Sequence, residues 1–469
     1  MVKRTDVFFC FSGGTIDVDI FYPCLLHFYI FITKRGVFMS KSPFELNGVP
    51  PLKQAFPLGL QHVLAMFVGN ITPIIIIAGI LQIPADEKIF LIQCAMFASG
   101  IVTLVQAYPI GPVGAKLPVV MGTSFGFLPT CIAIGKQYGL AGILGASIVG
   151  GLVEIVLGSF LRPLRKLFPP VVTGTVLLSI GLSLLPVGVQ YFAGGVKAPD
   201  FGSPSNLILG FIVLVTILIF KSFAKGALSV SSILIGIIVG YVAAFFMGKL
   251  NLANFASAGY FSFPMPLKYG ISFHWDAIAA MALMYVVTTV ETVGDISGIT
   301  MGGANREATD KELSGGVIAD GAGSIFAALF NCLPNTSFSQ NVGIVAMTKV
   351  MSRYVVAVGA VILIVSGLVP KLGAVLAMIP NSVLGGAMVI VFSMIAVSGM
   401  TLITKQSMAG RNAVIVAVAL GLGFGLGSVP EALVSFPEGV RMIFGGSGIV
   451  VSGTIALLLN VILPKDEHE

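Results

Sequence analysis

PNTSFSQNVGIVAMTK, residues 334–349, lies between two long apolar segments and is too polar and too short to cross a bilayer as one helix. A spanning helix needs roughly 20 apolar residues. The first half of the stretch carries Pro, Asn, Thr and Ser, which compete with a helix for backbone hydrogen bonds. The second half, from about Asn341, predicts a short helix with free N–H groups at its start. Because broken backbone at membrane depth must line a cavity or lie inside protein, this stretch predicts the wall of a small-molecule site.

The composition predicts an all-α polytopic membrane protein. Hydrophobic residues make up 56% and charged residues 10% of the 469 positions, whereas soluble domains have about 25% charged residues. The net charge of +6 resides in short loops, which indicates membrane orientation rather than nucleic-acid binding. The five cysteines and four histidines are scattered, so neither a disulfide framework nor a metal site is expected. The sequence contains no phosphate-binding loop of an ATP motor.

Residues 1–38 differ from the rest of the chain. Their aromatic run, residues 20–32, is interrupted by Pro23 and short for a membrane span. No small-x-small cleavage site follows it. We therefore expect Met39 to be the true initiator and residues 39–55 to form a cytoplasmic N-terminus.

About fourteen apolar segments follow, and the third (117–135) and tenth (337–350) are compromised by polar residues, proline or glycine. With the N-terminus inside, the cytoplasmic ends carry fifteen Lys and Arg residues and the outer loops carry seven. This excess predicts that both termini are cytoplasmic.

An internal repeat supports two halves of seven spans. Four residue pairs match at a constant offset of 211: Pro169 and Pro380, Val172 and Val383, Gly174 and Gly385, and Gly188 and Gly399. The stretch 117–125 also resembles 333–338. An odd number of spans per half makes the repeat inverted, and a broken segment in each half predicts a transporter with its site near the midplane. The alternative is chance recurrence of Pro and Gly in membrane helices.

Carboxylates in membrane segments are costly, roughly 2.5–3.5 kcal/mol each on insertion scales, so each is a functional candidate. The apolar segments contain four of them: Glu154, Glu291, Asp295 and Asp320. Glu291 and Asp295 are four residues apart, which puts both on one helix face about 6 Å apart. Two such groups do not easily ionise together, which suits proton coupling. The alternative is a hydrated pair near the helix end, neutralised by Arg306 or Lys311.

Three further polar residues, Asp320, Glu154 and His62, each have two interpretations. Asp320 is either a functional carboxylate or an N-cap or loop aspartate. Glu154 has no motif around it and faces either a cavity or an oligomer interface. A structural hydrogen-bonding role is favoured for His62 over contact with substrate.

Several residues around the two breaks suit a flat heterocycle. Gln340 offers both a donor and an acceptor, the complement of a purine or pyrimidine amide edge. Asn341 is expected to cap the half-helix and brace the core. Phe125 and Phe338 flank the breaks and could stack on a base, although packing against lipid or core is equally compatible.

The pattern Gln340-Asn341-x-Gly343-x4-Thr348-Lys349 resembles the signature of the nucleobase–ascorbate transporter family, which includes bacterial uracil, xanthine and urate permeases. The resemblance extends from about residue 53 to 464. It implies a 7+7 inverted repeat with a short strand and a half-helix in spans 3 and 10, and substrate bound between them. The implied core domain comprises residues 56–161 (spans 1–4) and 274–378 (spans 8–11), and the gate domain comprises 169–247 (spans 5–7) and 381–464 (spans 12–14).

The resemblance also implies residue roles. Glu291 matches the glutamate that hydrogen-bonds the base, with Gln340 as its partner, and Asp295 matches a position tied to proton coupling. Asp320 matches an important family carboxylate that supports the core, and together with Asp295 it is expected to carry or tune the coupling proton. The supporting positions are His62, Ser124, Asn341, Gly343 and Thr348. No cofactor is expected besides a coupling ion, H⁺, and a homodimer in the bacterial plasma membrane is implied.

Substrate choice rests on Gln340, because glutamine at this position of the family goes with xanthine and urate permeases and glutamate with uracil permeases. Uracil stays as the alternative substrate. An anion transporter or channel of the same 7+7 architecture would want basic residues where Glu291 and Asp295 lie. A membrane-embedded enzyme would want a third ligand or a base beside this pair, which the sequence does not offer.

Overall fold

The computed structural model describes residues 42–164, 167–196, 198–250 and 258–464. The predicted N-terminal extension, residues 1–38, and the expected start at Met39 lie outside these ranges. The described chain is mostly helical, and its two short strands pair with each other.

Within the described ranges, fourteen α-helices have eight or more residues. They are α1 (Leu52–Ile80), α2 (Ala85–Ala107), α3 (Leu128–Ser159), α4 (Pro170–Phe192), α5 (Pro204–Phe223), α6 (Ser232–Phe246), α7 (Trp275–Ala304), α8 (Asp310–Leu329), α9 (Ser339–Thr348), α10 (Arg353–Gly367), α11 (Pro370–Ala377), α12 (Asn381–Ile403), α13 (Gly410–Ser428) and α14 (Gly448–Ile462). The strands are β1 (Met121–Thr123) and β2 (Asn335–Ser337).

Eight of the described helices are long and apolar enough to cross a membrane, and up to ten spans result if each of two sharply bent pairs counts as one. One bent pair is α10 and α11, which meet at an angle of 85°. The eleventh apolar segment of the sequence, residues 354–378, is therefore two helices rather than one. The third apolar segment (117–135) and the fourth (140–161) meet inside α3, where Gly139 has a φ of 67° and interrupts the helical backbone. A positive φ is readily adopted by glycine, so the chain bends there.

The two sequence breaks form one antiparallel ribbon. Gly122 lies opposite Thr336 in the register of β1 and β2. The ribbon continues at both ends, since the Ser124 N–H donates to the Pro334 carbonyl at 2.9 Å and the Phe338 N–H donates to the Val120 carbonyl at 3.0 Å. The strands thus satisfy part of each other's backbone groups, and side chains satisfy others: the Thr123 N–H donates to Asn70 at 2.8 Å and the Asn335 N–H donates to Ser324 at 3.0 Å. Burial inside a membrane protein requires such partners.

The stretches that repeat in the sequence also pack against each other. Helices α4 and α12 cross where Gly174 faces Gly399, and a Cβ on Gly399 would lie 2.4 Å from the backbone nitrogen of Leu178 and 2.6 Å from the Gly174 carbonyl oxygen. Any side chain there would clash with backbone. The glycines therefore set how closely these two helices approach.

A similar close approach joins α3 to α8 in the interior. A Cβ on Gly321 would lie 2.5 Å from the Gly151 carbonyl oxygen. Helix α8 itself begins with a capping box, in which the Thr309 side chain and the Glu312 side chain each accept from the other's backbone N–H. These contacts bring α3, α7 and α8 together behind the ribbon.

Candidate functional site

A cavity of about 320 Å³ lies where the ribbon meets α4, α6, α7, α9 and α12. Its volume falls at the lower end of the range for small-molecule sites, about 300–1,000 Å³. One side, the polar wall, consists of Glu291, Thr336, Ser337, Ser339 and Gln340. The helices α4, α6 and α12 contribute a second set of lining residues. Five of them are called the apolar wall: Leu177, Ile180, Ile233, Val391 and Ile395; Ser232 and Ser398 of the same helices also line the cavity. A flat, partly polar molecule fits such a site.

Glu291 comes from the middle of α7 and lines the cavity. Its Oε2 is buried and has no hydrogen-bond partner among the described residues. A buried acceptor without a partner costs about 1–3 kcal/mol, more for a charged group. This oxygen is therefore available to an N–H donor of a bound molecule.

Asp295 lies one turn further along α7, on the same helix face as predicted, but it makes different contacts. It accepts hydrogen bonds from the Ser337 hydroxyl at 2.6 Å and the Ser339 hydroxyl at 2.7 Å. These bonds tie α7 to the end of β2 and the start of α9. Arg306 pairs instead with Glu312, so the hydrated pair with Arg306 is not formed.

The half-helix α9 begins in the polar wall, at Ser339 and Gln340. Asn341 does not cap it, contrary to prediction: the N-cap position is Phe338, and no side chain caps the helix there. The Asn341 amide donates instead to the carbonyl oxygen of His62 at 3.0 Å and lies 3.0 Å from its Nδ1. Asn341 is already inside the first turn of the helix, so its side chain reaches sideways to α1. The bracing role expected for both residues matches this contact.

The two phenylalanines lie at the cavity. Phe125 and Phe338 both line it. Phe125 packs edge-on against Phe392, with ring centroids 5.1 Å apart. Phe338 lies over Gly69 and Gly122, where added Cβ atoms would approach its ring to 2.7 and 2.6 Å. Both glycines are therefore needed to seat this ring.

The three remaining supporting residues occupy different places. The Ser124 hydroxyl accepts from the Gly126 N–H at 3.1 Å and shapes the turn after β1. Gly343 lines the cavity, and nothing lies within 4 Å of a Cβ built on it. The Thr348 hydroxyl donates to the Ile344 carbonyl at 2.8 Å in the last turn of α9.

Asp320 and Glu154 lie behind the polar wall rather than in it. Asp320 is fully buried within α8 and accepts from the Thr292 hydroxyl of α7, so it is neither an N-cap nor a loop residue. Glu154 is fully buried in α3 and accepts from the Thr289 hydroxyl at 3.3 Å. Both expectations for Glu154, a cavity and an oligomer interface, are wrong, because the close approach of α3 and α8 encloses it.

Sequence reasoning missed the apolar wall and one charged residue. Lys221, in the last turn of α5, lines the cavity. In the sequence it is only one of the fifteen Lys and Arg residues that predict the orientation of the chain. Residues such as Leu177 and Val391 look like ordinary membrane-helix residues in sequence. The internal repeat was the available signal, since it marks α4 and α12, which supply four of the five apolar-wall residues.

Comparisons with known proteins show which sequences and structures the chain resembles. Residues 53–432 match the model of the xanthine and uracil permeases, described as a permease family. The chain is 37% identical to the xanthine permease XanQ of Escherichia coli over 437 residues, covering 90% of this chain and 93% of XanQ. It is 38% identical to the uric acid permease PucK of Bacillus subtilis over 412 residues, covering 87% of this chain and 95% of PucK.

Solved structures share the fold at low identity. The transmembrane domain of the cyanobacterial bicarbonate transporter BicA superposes with a TM-score of 0.56 at 15% identity, covering 88% of this chain and 98% of that domain. The anion transporter family member SLC26A9 gives a TM-score of 0.61 at 13% identity, covering 97% of this chain and 72% of that protein. At these identities the likeness is one of fold alone.

Proposed function

Because this chain belongs to the nucleobase–ascorbate transporter family and is a nucleobase transporter, we propose that it imports a purine, xanthine or urate, by proton symport. The main support for placing the substrate in this cavity is the Oε2 atom of Glu291, which is buried and has no hydrogen-bond partner among the described residues. Glu291 and Gln340 both belong to the polar wall. In this proposal Glu291 accepts from an N–H of the base. Gln340 reads the neighbouring amide edge by donating and accepting together.

The aromatic rings complete the recognition of the base. Phe125 and Phe338 border the cavity from the two breaks, and a flat base gains offset or edge-on contacts with such rings. The free N–H groups at the start of α9 add a positive dipole end on the same side. Buried polar groups of this kind reject analogues that leave them unpaired.

Asp295 and Asp320 are proposed to carry or tune the coupling proton. Asp295 bonds Ser337 and Ser339, so its charge is linked directly to the segment that begins the half-helix. Asp320 lies behind Thr292, next to Glu291 in sequence. A change of protonation at either residue would alter the polar wall itself.

For the architecture we propose fourteen spans in a 7+7 inverted repeat. The core is assigned to residues 56–161 and 274–378 and the gate to 169–247 and 381–464, both termini being cytoplasmic. The cavity includes the exposed Lys221, which the charge pattern assigns to the cytoplasmic side, so this conformation is taken as inward-facing. A plasma-membrane homodimer is part of the same proposal.

The experiment is uptake of radiolabelled xanthine by cells that lack their own nucleobase permeases, with and without a protonophore. Urate, hypoxanthine and uracil serve as unlabelled competitors. Protonophore-sensitive uptake that urate blocks and uracil does not is the expected result. Uptake blocked only by uracil would move the substrate to a pyrimidine, and protonophore-insensitive uptake would overturn proton symport.

Gln340→Glu tests the choice of base within the same assay. The variant replaces a donor and acceptor pair by acceptors alone, so xanthine uptake should fall and uracil uptake should appear. An unchanged preference would contradict the role of this side chain. Gln54→Glu, at an exposed position in the first turn of α1 and outside the cavity, is the control for the added charge.

A further inference from the structure

We propose that Glu154 and Asp320 share one proton in a buried site behind the substrate cavity, and that this proton sets the pH dependence of transport. The second half of the proposal rests on the proton symport proposed above. The first half concerns only the charge of two buried carboxyls. It can be tested without transport.

Glu154 provides the first half of the site. The residue is fully buried in α3. Its Oε1 accepts from Thr289, while its Oε2 is buried without a hydrogen-bond partner among the described residues. Buried polar atoms are nearly always hydrogen-bonded, so an orphaned oxygen points to an unseen donor.

Asp320 provides the second half from α8. Its Oδ2 accepts from Thr292, and its Oδ1 is likewise buried and lacks a partner in the described part of the chain. Thr289 and Thr292, which donate to the two carboxyls, lie three residues apart on one face of α7, and a Cβ on Gly321 would lie 3.1 Å from the Cβ of Glu154. Gly321 is the chain neighbour of Asp320.

Within the described ranges, no cation neutralises this pair. Among the described residues, no Lys or Arg side chain bonds either carboxyl, and the groups that face the pair from α7 are Glu291, Asp295 and the phenol of Tyr285. The described residues also contain no group of three or more His, Cys, Asp or Glu that could hold a metal ion. Two ionised carboxylates in such surroundings would be severely destabilised.

A single shared proton accounts both for the oxygens without hydrogen-bond partners and for the missing neutralising cation. A protonated carboxyl supplies an O–H donor, and an ionised carboxylate is an acceptor only. A proton bound between the orphaned oxygens of Glu154 and Asp320 would give each of them a partner and would halve the buried charge. Hydrogen bonds between a carboxylic acid and a carboxylate are short and strong.

Helix α7 links this site to the substrate. Thr289 and Thr292 bond the proton-sharing pair, and Glu291, between them in sequence, lines the cavity. Loss of the shared proton places an additional negative charge close to Glu291. The state of the pair therefore changes the potential at the carboxylate proposed to bind the base.

The first test is infrared spectroscopy of the purified full-length protein in H₂O and D₂O. The wild-type protein should show a carboxylic-acid C=O absorption that shifts in D₂O. Glu154→Gln should remove one component of it, whereas Glu154→Asp should keep that component. Ser147→Ala is the matched control, since Ser147 is fully buried in α3 and its hydroxyl donates to the carbonyl of Ile143 in its own helix. If Glu154→Gln leaves the spectrum unchanged, the shared proton is refuted.

A second variant covers the case in which Glu154→Gln does not fold. Thr289→Val removes the hydroxyl that donates to Glu154 and should shift the same C=O band without abolishing it. An unshifted band would count against the assignment to Glu154. Because these readings need no substrate, they stand or fall independently of the proposed symport.

The second test is the pH profile of xanthine uptake. With Glu154→Gln the shared site has one carboxyl fewer, so the alkaline limb of uptake should move to lower pH by about one unit, the scale of shifts in protein environments. Ser147→Ala should leave the limb in place. A lower maximal rate with an unmoved limb would show that Glu154 only packs, and would overturn its link to transport.

Discussion

The polar wall of the cavity is fixed by hydrogen bonds, whereas the apolar wall is held by helix packing. Asp295 ties the polar wall to α7 through Ser337 and Ser339, and the ribbon fixes its backbone. Within the described residues, no hydrogen bond joins a residue of one wall to a residue of the other. Beside the two walls, Phe125 packs edge-on against Phe392 of α12.

This difference separates recognition from movement. Directional bonds hold donors and acceptors in fixed positions, which a site that reads a base requires. Non-directional apolar contacts vary little as surfaces slide. A wall made of such contacts lets α4 and α12 shift past the polar wall without breaking hydrogen bonds.

Glu291→Gln tests the polar wall with the largest expected effect. The variant keeps the size of the side chain and removes its charge, and hydrogen bonds to charged groups contribute about 1.5–3 kcal/mol. We expect initial xanthine uptake to fall about 100-fold at an unchanged amount of protein in the membrane. Glu431→Gln, at an exposed position outside the cavity, should transport normally. Near-normal uptake by Glu291→Gln would place base recognition elsewhere.

Gly399→Ala tests the packing behind the apolar wall. The added Cβ would meet backbone atoms at 2.4 and 2.6 Å, and overpacking typically costs about 1–3 kcal/mol. We expect a lower melting temperature of the purified protein. Gly421→Ala in α13, where a Cβ meets nothing within 4 Å, is the control and should not lower it. Equal melting temperatures for the two variants would contradict the close crossing of α4 and α12.

Asp295→Asn tests the bonds that anchor the polar wall. Its amide has one acceptor oxygen, so only one of the two serine hydroxyls keeps a comparable bond. We expect uptake to fall about 10-fold, in line with about 1.5 kcal/mol for one such bond. Combined with Ser339→Ala, the loss should be less than additive because both changes remove the same contact. Additive losses would show that the two residues act separately.

Ile180→Val tests the apolar wall with the smallest expected effect. One methylene is worth about 0.8 kcal/mol of burial, so the apparent affinity for xanthine should weaken about fourfold. The measurement is the concentration dependence of uptake. Ile455→Val, on α14 and outside the cavity, should leave it unchanged. A loss as large as that of Glu291→Gln would remove the distinction between the walls.

Local chemistry made the polar wall predictable. Proline, asparagine and serine in 334–339 indicated that the tenth segment is not a continuous helix. The four-residue spacing placed Glu291 and Asp295 on one face of α7. The glutamine and the flanking phenylalanines followed from their position beside the breaks. These features depend on neighbours within a few residues, which a single sequence displays.

Contacts between distant residues were not predictable in the same way. Asn341 reaches His62, 279 residues away, so its expected capping role was wrong. Glu154 is enclosed because Gly151 and Gly321 allow α3 and α8 to touch, and no spacing within α3 indicates that. By contrast, the eleventh apolar segment, residues 354–378, bends into α10 and α11 at Gly367 and Pro370. These residue types are typical of helix boundaries, so the sequence carried a signal for this bend that was not used.

The ribbon has a consequence for biosynthesis. Thr123 pairs with Asn335, so the first strand finds its partner only after more than two hundred further residues have been made and inserted. Until then the strand lacks the partners that β2 provides, although the N–H groups of Met121 and Thr123 have the side chains of Thr103 and Asn70 as acceptors. The transport site therefore comes into existence in one late step. A chain that ends before β2 therefore keeps an unpaired first strand inside the membrane.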